Sequence, residues 1–135
     1  MKCPVCKDPM IILELNEVEI DYCSSCGGVW LDAGELELLI DDESEKEKLN
    51  SFFNLDKDHP EKPYKCPICN KKMNKVNVGE NKDVMIDKCP AGDGLWFDKG
   101  ELKDVVKLAS GENQVVHIIH ELFGNEINNN QNGES

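Results

Sequence analysis

The chain has 135 residues, of which 39% are hydrophobic, 6% aromatic and 31% charged, and its formal net charge at pH 7 is -12. All 15 basic residues are lysines, so the chain lacks the bidentate guanidinium groups used to read phosphate and guanine; this disfavours stand-alone nucleic-acid binding and favours a basic protein partner. Seven cysteines cannot all pair as disulfides, the start Met1-Lys2-Cys3 leaves no room for a signal peptide, and no apolar run reaches the ~20 residues of a membrane helix. The expectation is a cytoplasmic protein whose thiols stay reduced and bind metal.

The first pair of thiols is Cys3-Pro4-Val5-Cys6, and the second is Cys23-Ser24-Ser25-Cys26. Two Cys-x2-Cys pairs at this separation are a structural zinc signature: each pair sits on a tight turn, and four thiolates at about 2.3 Å complete a closed tetrahedron. Between them Met10 to Tyr22 alternates as a hairpin, with Leu13 and Leu15 on one strand, Val18, Ile20 and Tyr22 on the other, and Asn16-Glu17 as the turn. Gly27 follows Cys26, where a knuckle needs a left-handed residue. Trp30 covers the knuckle. Asp32-Ala33-Gly34-Glu35 reads as a helix start, with Asp32 as N-cap and Glu35 closing a capping box rather than forming a catalytic carboxylate dyad. Leu36, Leu39 and Ile40 form a buried stripe. Asp41 to Lys48 is a charged helix surface with Asp42 and Lys46 at i,i+4 spacing.

Residues 51–63, with Pro60, Pro63 and mixed charges, read as a linker in which Phe52, Phe53 and Leu55 dock on a ribbon and His59 meets solvent. The acidity is uneven: residues 1–63 carry 6 Lys against 16 acids, and residues 64–135 carry 9 against 11. The lysines of the second half (Lys65, Lys71, Lys72, Lys75, Lys82, Lys88) are interspersed with Glu80, Asp83 and Asp87 and read as a solvated face.

The first module then recurs. Cys66-Pro67-Ile68-Cys69, a hairpin from Met73 to Lys88 with its extra residues at Gly79 to Asp83, and Cys89-Pro90-Ala91-Gly92-Asp93-Gly94-Leu95-Trp96-Phe97-Asp98 keep register with the first copy. Asp98 and Glu101 repeat Asp32 and Glu35, but Gly92 stands where Cys26 stands in the first copy. Three thiolates do not close a structural site. Candidates for the fourth position are Asp93, since a carboxylate binds Zn²⁺ at about 2.0–2.2 Å, then His117 or His120 folding back, and water; an empty second site is a further reading. In another reading Asp93 simply takes the left-handed slot of Gly27. Leu102, Val105, Val106 and Ala109 form a helical stripe that ends or kinks at Ser110-Gly111. Val115 to Phe123 is another apolar helix, suited to packing on the ribbons, to homo-oligomerisation or to a partner, with His117, His120 and Glu121 on its other face as solvent residues or an independent metal site. Residues 124–135 read as a disordered tail.

The expected fold is therefore a small, metal-stabilised α+β protein: two zinc ribbons (knuckle, β-hairpin, knuckle), each followed by an α-helix, with an extended C-terminal helical region. The expected organisation is 1–50 for the first ribbon and helix, 51–63 for the linker, 64–123 for the second ribbon and helices, and 124–135 for the tail. Modules this short bury too little apolar surface to be stable alone and usually need metal or disulfides.

The run Cys3-Pro-x-Cys6, Asp21-x-Cys23-x-x-Cys26-Gly27-Gly28-x-Trp30-Leu31-Asp32 and Gly34-Glu35-Leu36 resembles the prokaryotic zinc-ribbon family named for similarity to transcription factor IIB, over about residues 2–40 and again over 65–103. Second copies in that family often read Cys-Pro-x-Gly-His-Gly-x-Trp, so the resemblance implies a ligand at Asp93, with Asp in place of His. The family name implies transcription by analogy of fold. The expected function is a non-enzymatic zinc-binding interaction or scaffold module with Cys3, Cys6, Cys23 and Cys26 at one site and Cys66, Cys69, Cys89 and Asp93 at the other. A transcription-associated nucleic-acid factor and a zinc-thiolate redox sensor are the alternatives, and the ligands alone also admit iron in a rubredoxin-like site.

Overall fold

Alternation of apolar and polar residues builds each hairpin. Strands β1 (Ile11–Leu15) and β2 (Val18–Tyr22) pair antiparallel with Leu13 opposite Ile20 and Leu15 opposite Val18. Their turn is Asn16-Glu17, both at positive φ (51° and 67°), as a two-residue hairpin with the twist of its strands requires. The computed structural model describes residues 1–40, 42–51, 53–56, 63–79 and 84–110. His59, Phe52, Lys82, the tip residues 80–83, and everything from Gly111 onward (His117, His120, the Val115–Phe123 segment and the tail) lie outside the described residues.

The second hairpin, β5 (Asn74–Val78) with β6 (Val84–Lys88), repeats the first position for position: Lys75 faces Asp87 where Ile12 faces Asp21, and Asn77 faces Met85 where Glu14 faces Glu19. After each second knuckle comes a short strand, β3 (Val29–Asp32) or β7 (Gly94–Phe97). These two strands pair with each other, Trp30 opposite Trp96 and Val29 opposite Phe97. Because the paired strands are equivalent, a local two-fold runs between the tryptophans. Phe53–Leu55 forms β4, which pairs along the outer edge of β5. The result is one seven-stranded antiparallel sheet in the order β1-β2-β3-β7-β6-β5-β4. The sequence reading treats the repeats as separate ribbons and does not foresee this seam.

One face of the sheet carries Leu15, Val18, Ile20, Val29, Leu31, Val76, Val78, Ile86 and Phe97 into a core shared by both repeats. Helices cover it: α1 (Glu35–Leu38) with the turn after it supplies Leu36, Leu39 and Ile40, α2 (Glu43–Ser51) supplies Leu49, and α3 (Glu101–Ser110) supplies Leu102, Val105 and Val106. The first ribbon is thus followed by two helices rather than one. Asp42 does not reach Lys46 as its spacing proposes. Its carboxylate caps α2 instead, accepting from the amides of Ser44 (2.8 Å) and Glu45 (3.2 Å) and from the Ser44 hydroxyl, and Lys46 pairs with Glu43 at 3.3 Å.

Asp32 and Asp98 also differ from the helix caps expected of them. The residue that caps α1 is Gly34, in the left-handed conformation (φ 87°) and without a side-chain bond. The Asp32 carboxylate accepts from the Trp30 indole N–H at 2.8 Å, and Asp98 does the same for Trp96 at 3.0 Å. A buried indole N–H needs an acceptor, and it outcompetes the helix for these carboxylates. The other half of the box forms: the Asp32 amide donates to Glu35 at 2.6 Å and the Asp98 amide to Glu101 at 2.8 Å.

Candidate metal centres

Each knuckle is a turn closed by backbone bonds that gather two sulfurs. The amide of Lys7 donates to the Cys3 carbonyl at 2.9 Å, Gly27 to Cys23 at 2.8 Å and Asn70 to Cys66 at 2.9 Å. The residue after each second cysteine is left-handed: Lys7 (φ 68°), Gly27 (φ 80°) and Asn70 (φ 65°). Amides inside the turns point at sulfur, from Val5 and Cys6 to Cys3 (3.3 and 3.2 Å), from Cys26 to Cys23 (3.5 Å), from Ile68 to Cys66 (3.4 Å) and from Ala91 to Cys89 (3.3 Å). Such donors favour thiolate over thiol.

The fourth knuckle departs by one residue, and this shift brings Asp93 into place. Its outer closure is unchanged, the Cys89 amide bonding the Gly94 carbonyl (3.1 Å) as Cys23 bonds Gly28 (2.9 Å). Its inner closure is tighter: the amide of Gly92, not of the next residue, reaches the Cys89 carbonyl at 3.1 Å. The left-handed residue is accordingly Gly92 (φ 84°) and not Asp93, so Asp93 does not take the slot of Gly27. Moving the left-handed step one residue earlier turns the next side chain inward. Asp93 Oδ2 lies 3.4 Å from Cys89 Sγ and 3.6 Å from Cys66 Sγ, while Cys69 Sγ is 3.5 Å from Cys89 Sγ.

Both donor sets converge. Cys3, Cys6, Cys23 and Cys26 form one group, and Cys66, Cys69, Cys89 and Asp93 the other, the donor atoms within each lying no more than 4.8 Å apart. In the first, Cys3 Sγ and Cys26 Sγ are 3.7 Å apart. A tetrahedron with Zn–S near 2.3 Å has edges of about 3.8 Å, and replacing one sulfur by oxygen near 2.0 Å gives about 3.5 Å. The donor types and separations of both groups fit a tetrahedral metal.

Electrostatics are unequal among the thiols. Burial pushes Cys66 up to about 12 and raises Cys26 as well. Burial also opposes ionisation of Cys23 and Cys89, but backbone amides and neighbouring thiols that donate to these sulfurs outweigh it and hold both below the ordinary thiol value. At each site the other, raised thiols bind as thiolates only when an arriving cation displaces their protons to solvent. A hydrogen bond from the Cys69 thiol holds the Asp93 carboxyl below its usual value.

The tryptophans tie the two sites together. Both are fully buried, and each ring lies over a glycine of the other repeat: a Cβ on Gly28 would overlap the Trp96 ring, and one on Gly94 would overlap Trp30 and the Leu31 carbonyl. The Lys99 side chain packs over Gly27 beside the first site. Its counterpart by the second site is Ala33, whose amide bonds the Asp93 carbonyl at 3.0 Å and which lines a cleft of about 370 Å³ with Gly34, Gly92, Gly94, Phe53 and Lys88. A lysine therefore covers the knuckle of the first site where an alanine stands beside the second.

One buried pair was not foreseen. Lys75 belongs to the lysine group read as solvated, and Lys65, Lys71, Lys72 and Lys88 are indeed exposed. Lys75 is not: it is 7% exposed, its ammonium 2.8 Å from the carboxylate of Asp87 (1% exposed) and 4.9 Å from the centre of the Tyr64 ring. The available signal was its place in the repeat, directly opposite an Asp and aligned with the apolar Ile12. Close by, burial and the charges of Asp98 and Asp87 push Glu101 up to about 7.

Two copies of a knuckle–hairpin–knuckle unit, each closing four metal-type donors, define a tandem ribbon of the metal-binding class. The model of the family described as transcription factor zinc-finger, a zinc ribbon of the transcription factor IIB type, matches residues 2–42 and 65–108, and the chain belongs to that family as a two-ribbon member. No curated protein and no solved structure matches the chain. Among the described residues, no helix is long and apolar enough to cross a membrane.

Proposed function

We propose that the protein is a non-enzymatic scaffold in which two Zn²⁺ ions hold the knuckles and the joined sheet serves protein–protein interaction. The observation that carries this is the convergence of two four-donor groups within 4.8 Å, one of them rebuilt around Asp93 by a one-residue shift of the turn. Four protein donors complete a tetrahedron, the arrangement of structural rather than catalytic zinc. The carboxylates nearest the tryptophans are also engaged, Asp32 and Asp98 by indoles and Glu35 and Glu101 by backbone amides. A reducing compartment suits seven free cysteines. The acidity of the chain favours a basic protein partner over nucleic acid.

Zinc at the first site supplies folding free energy on the order of 10 kcal/mol; the second, with a carboxylate donor and a cleft beside it, holds its ion less tightly. Native mass spectrometry tests the assignment. The expected result is two zinc ions per chain, one after Asp93→Ala, and loss of the native circular dichroism after Cys6→Ser. Two zinc ions retained by Asp93→Ala would remove Asp93 from the site, an unchanged spectrum for Cys6→Ser would remove the structural role, and a red iron-loaded protein would replace zinc.

A further inference from the structure

The two halves of the sheet are equivalent in register but not in how their outer edges are finished. In the second repeat, β4 pairs along β5, with Phe53 opposite Val78, Asn54 opposite Asn77 and Leu55 opposite Val76, and the Asp56 amide continues the ladder to the Lys75 carbonyl at 2.9 Å. Asn77 donates its side-chain amide to Asp56 at 3.2 Å. In the first repeat β1 ends the sheet, and among the described residues no strand pairs with its outer edge. Ile11 and Ile12 on this edge are 48% and 66% exposed, whereas Lys75, the counterpart of Ile12, is 7% exposed. A five-residue edge strand with open backbone groups and exposed apolar side chains is a template for another strand.

The charges around the edge specify what that strand carries. Positions that hold Lys75, Asn77, Met85, Asp87, Asp98 and Glu101 in the second repeat hold Ile12, Glu14, Glu19, Asp21, Asp32 and Glu35 in the first. The second set contains a lysine buried against its aspartate; the first contains five carboxylates and no lysine. Glu14 stands directly opposite Glu19, a like-charge cross-strand pair.

The geometry points to β1 as the docking edge for an extended basic segment of a partner protein, with apolar residues opposite Leu13 and Leu15 and lysine or arginine opposite Ile12 and Glu14. This inference rests on the scaffold reading above and names its partner surface. The partner strand takes the place that β4 takes on β5 and supplies the cation that Lys75 supplies there. A second copy of the chain is a poor occupant, because pairing β1 with β1 brings two sets of these carboxylates together. The chain's own residues 111–135 contain no lysine or arginine, so they carry no permanently cationic side chain to take the place of Lys75.

The test uses the zinc-loaded full chain and two blocked peptides, one alternating valine and lysine and the other valine and glutamate. NMR titration at low salt should shift the amides of Ile11–Leu15 with the lysine peptide, with no response to the glutamate peptide. Ile12→Lys installs the missing cation in the chain itself, and it should weaken binding by about tenfold, as should Glu14→Gln combined with Glu19→Gln. Equal binding of both peptides, shifts centred away from β1, or undiminished binding by both variants would overturn the proposal. So would self-association that shifts the β1 amides, since it would make the occupant a second copy. Two zinc ions and a native spectrum accompanying any of these results leave the scaffold's metal assignment standing.

Discussion

Replacing Lys75 by methionine keeps the length of the side chain and removes its charge, leaving the Asp87 carboxylate 1% exposed with no ammonium at 2.8 Å. At that distance, with an effective dielectric of about 20, the attraction between the two charges is about 6 kcal/mol. Most of this is offset by the cost of taking both groups out of water, so the pair as a whole contributes little net stability. Breaking it from one side is different, because the desolvation cost of the survivor stays while the attraction is lost; such changes cost about 3–5 kcal/mol. That is a large part of the roughly 5–15 kcal/mol that holds a small domain folded. The loss has a second consequence, since the Lys75 charge is among the influences that lower Glu101, and its removal raises that group further. Urea unfolding followed by tryptophan fluorescence at fixed free zinc should show Lys75→Met destabilised by about 3–5 kcal/mol. Combining it with Asp87→Leu should recover most of this loss, giving a large coupling in the double-mutant cycle. Trp96 is a suitable reporter because it pairs directly with Asp87 across the sheet. A Lys75→Met protein within about 0.5 kcal/mol of the parent, the range of ordinary surface substitutions, would show that water reaches the pair and would refute the reasoning.

Two further outcomes follow from the same region. Gly28→Ala and Gly94→Ala drive a methyl group into the tryptophan of the other repeat, whereas Gly34→Ala meets open space and pays only for its left-handed backbone. Thermal unfolding should therefore rank Gly34→Ala, at about 1–2 kcal/mol, below the other two, where overpacking costs about 1–3 kcal/mol or more; an inverse ranking would refute the ring placement. Glu101, pushed up to about 7 from an ordinary value of 4.5, keeps its proton in the folded chain after the unfolded chain has released it. Stability from this group is complete below about 4.5 and is lost as pH rises through 7. Glu101→Gln should thus be more stable than the parent at pH 8, with the advantage vanishing toward pH 5, and an advantage independent of pH would contradict the assignment.

Much of the repeat unit was legible because its signals are local. The knuckles follow from Cys-x2-Cys spacing, the hairpin registers from alternation between fixed thiol pairs, and the Asn16-Glu17 turn from the need for positive φ. The seam between β3 and β7 was not legible: Val29-Trp30-Leu31 is too short to show alternation, and its partner lies in the other repeat. β4 has the same difficulty, with three residues inside a segment that composition marks as a linker. The carboxylates were misassigned for a different reason. The pattern Asp-x-x-Glu at a helix start offers both halves of a capping box, but an indole two residues upstream competes for the aspartate, and sequence spacing does not rank the two acceptor uses. Asp42 shows the converse, a residue read as an ion-pair partner whose carboxylate meets the free amides of a helix start. Lys75 was hidden by residue type, since lysine ordinarily reports solvent; only the comparison with Ile12 in the aligned repeat marks it as unusual.

The pairing of β3 with β7 gives the duplication a physical meaning beyond two copies of one clamp. Each tryptophan covers the other repeat's knuckle glycine, and the apolar face of each hairpin drains into one core roofed by helices from both repeats. Neither half can bury these surfaces by itself, and a half of this size has little apolar area to spare. The metal sites are consequently joined through Trp30 and Trp96, which sit in one cluster with Cys3, Cys23, Cys66 and Cys89. Departures from symmetry then fall where the seam does not depend on them: at the fourth ligand, where a shifted turn substitutes a carboxylate for a thiolate, at the cover over each knuckle, and at the two outer edges. One edge is finished by the chain's own β4 and by Lys75; along the other, β1, no strand pairs among the described residues, and Ile12 stands where Lys75 stands in the second repeat. A duplicated unit whose inner strands are committed to each other diverges away from that seam, and in this chain it does so at the fourth ligand, at the knuckle covers and at both outer edges.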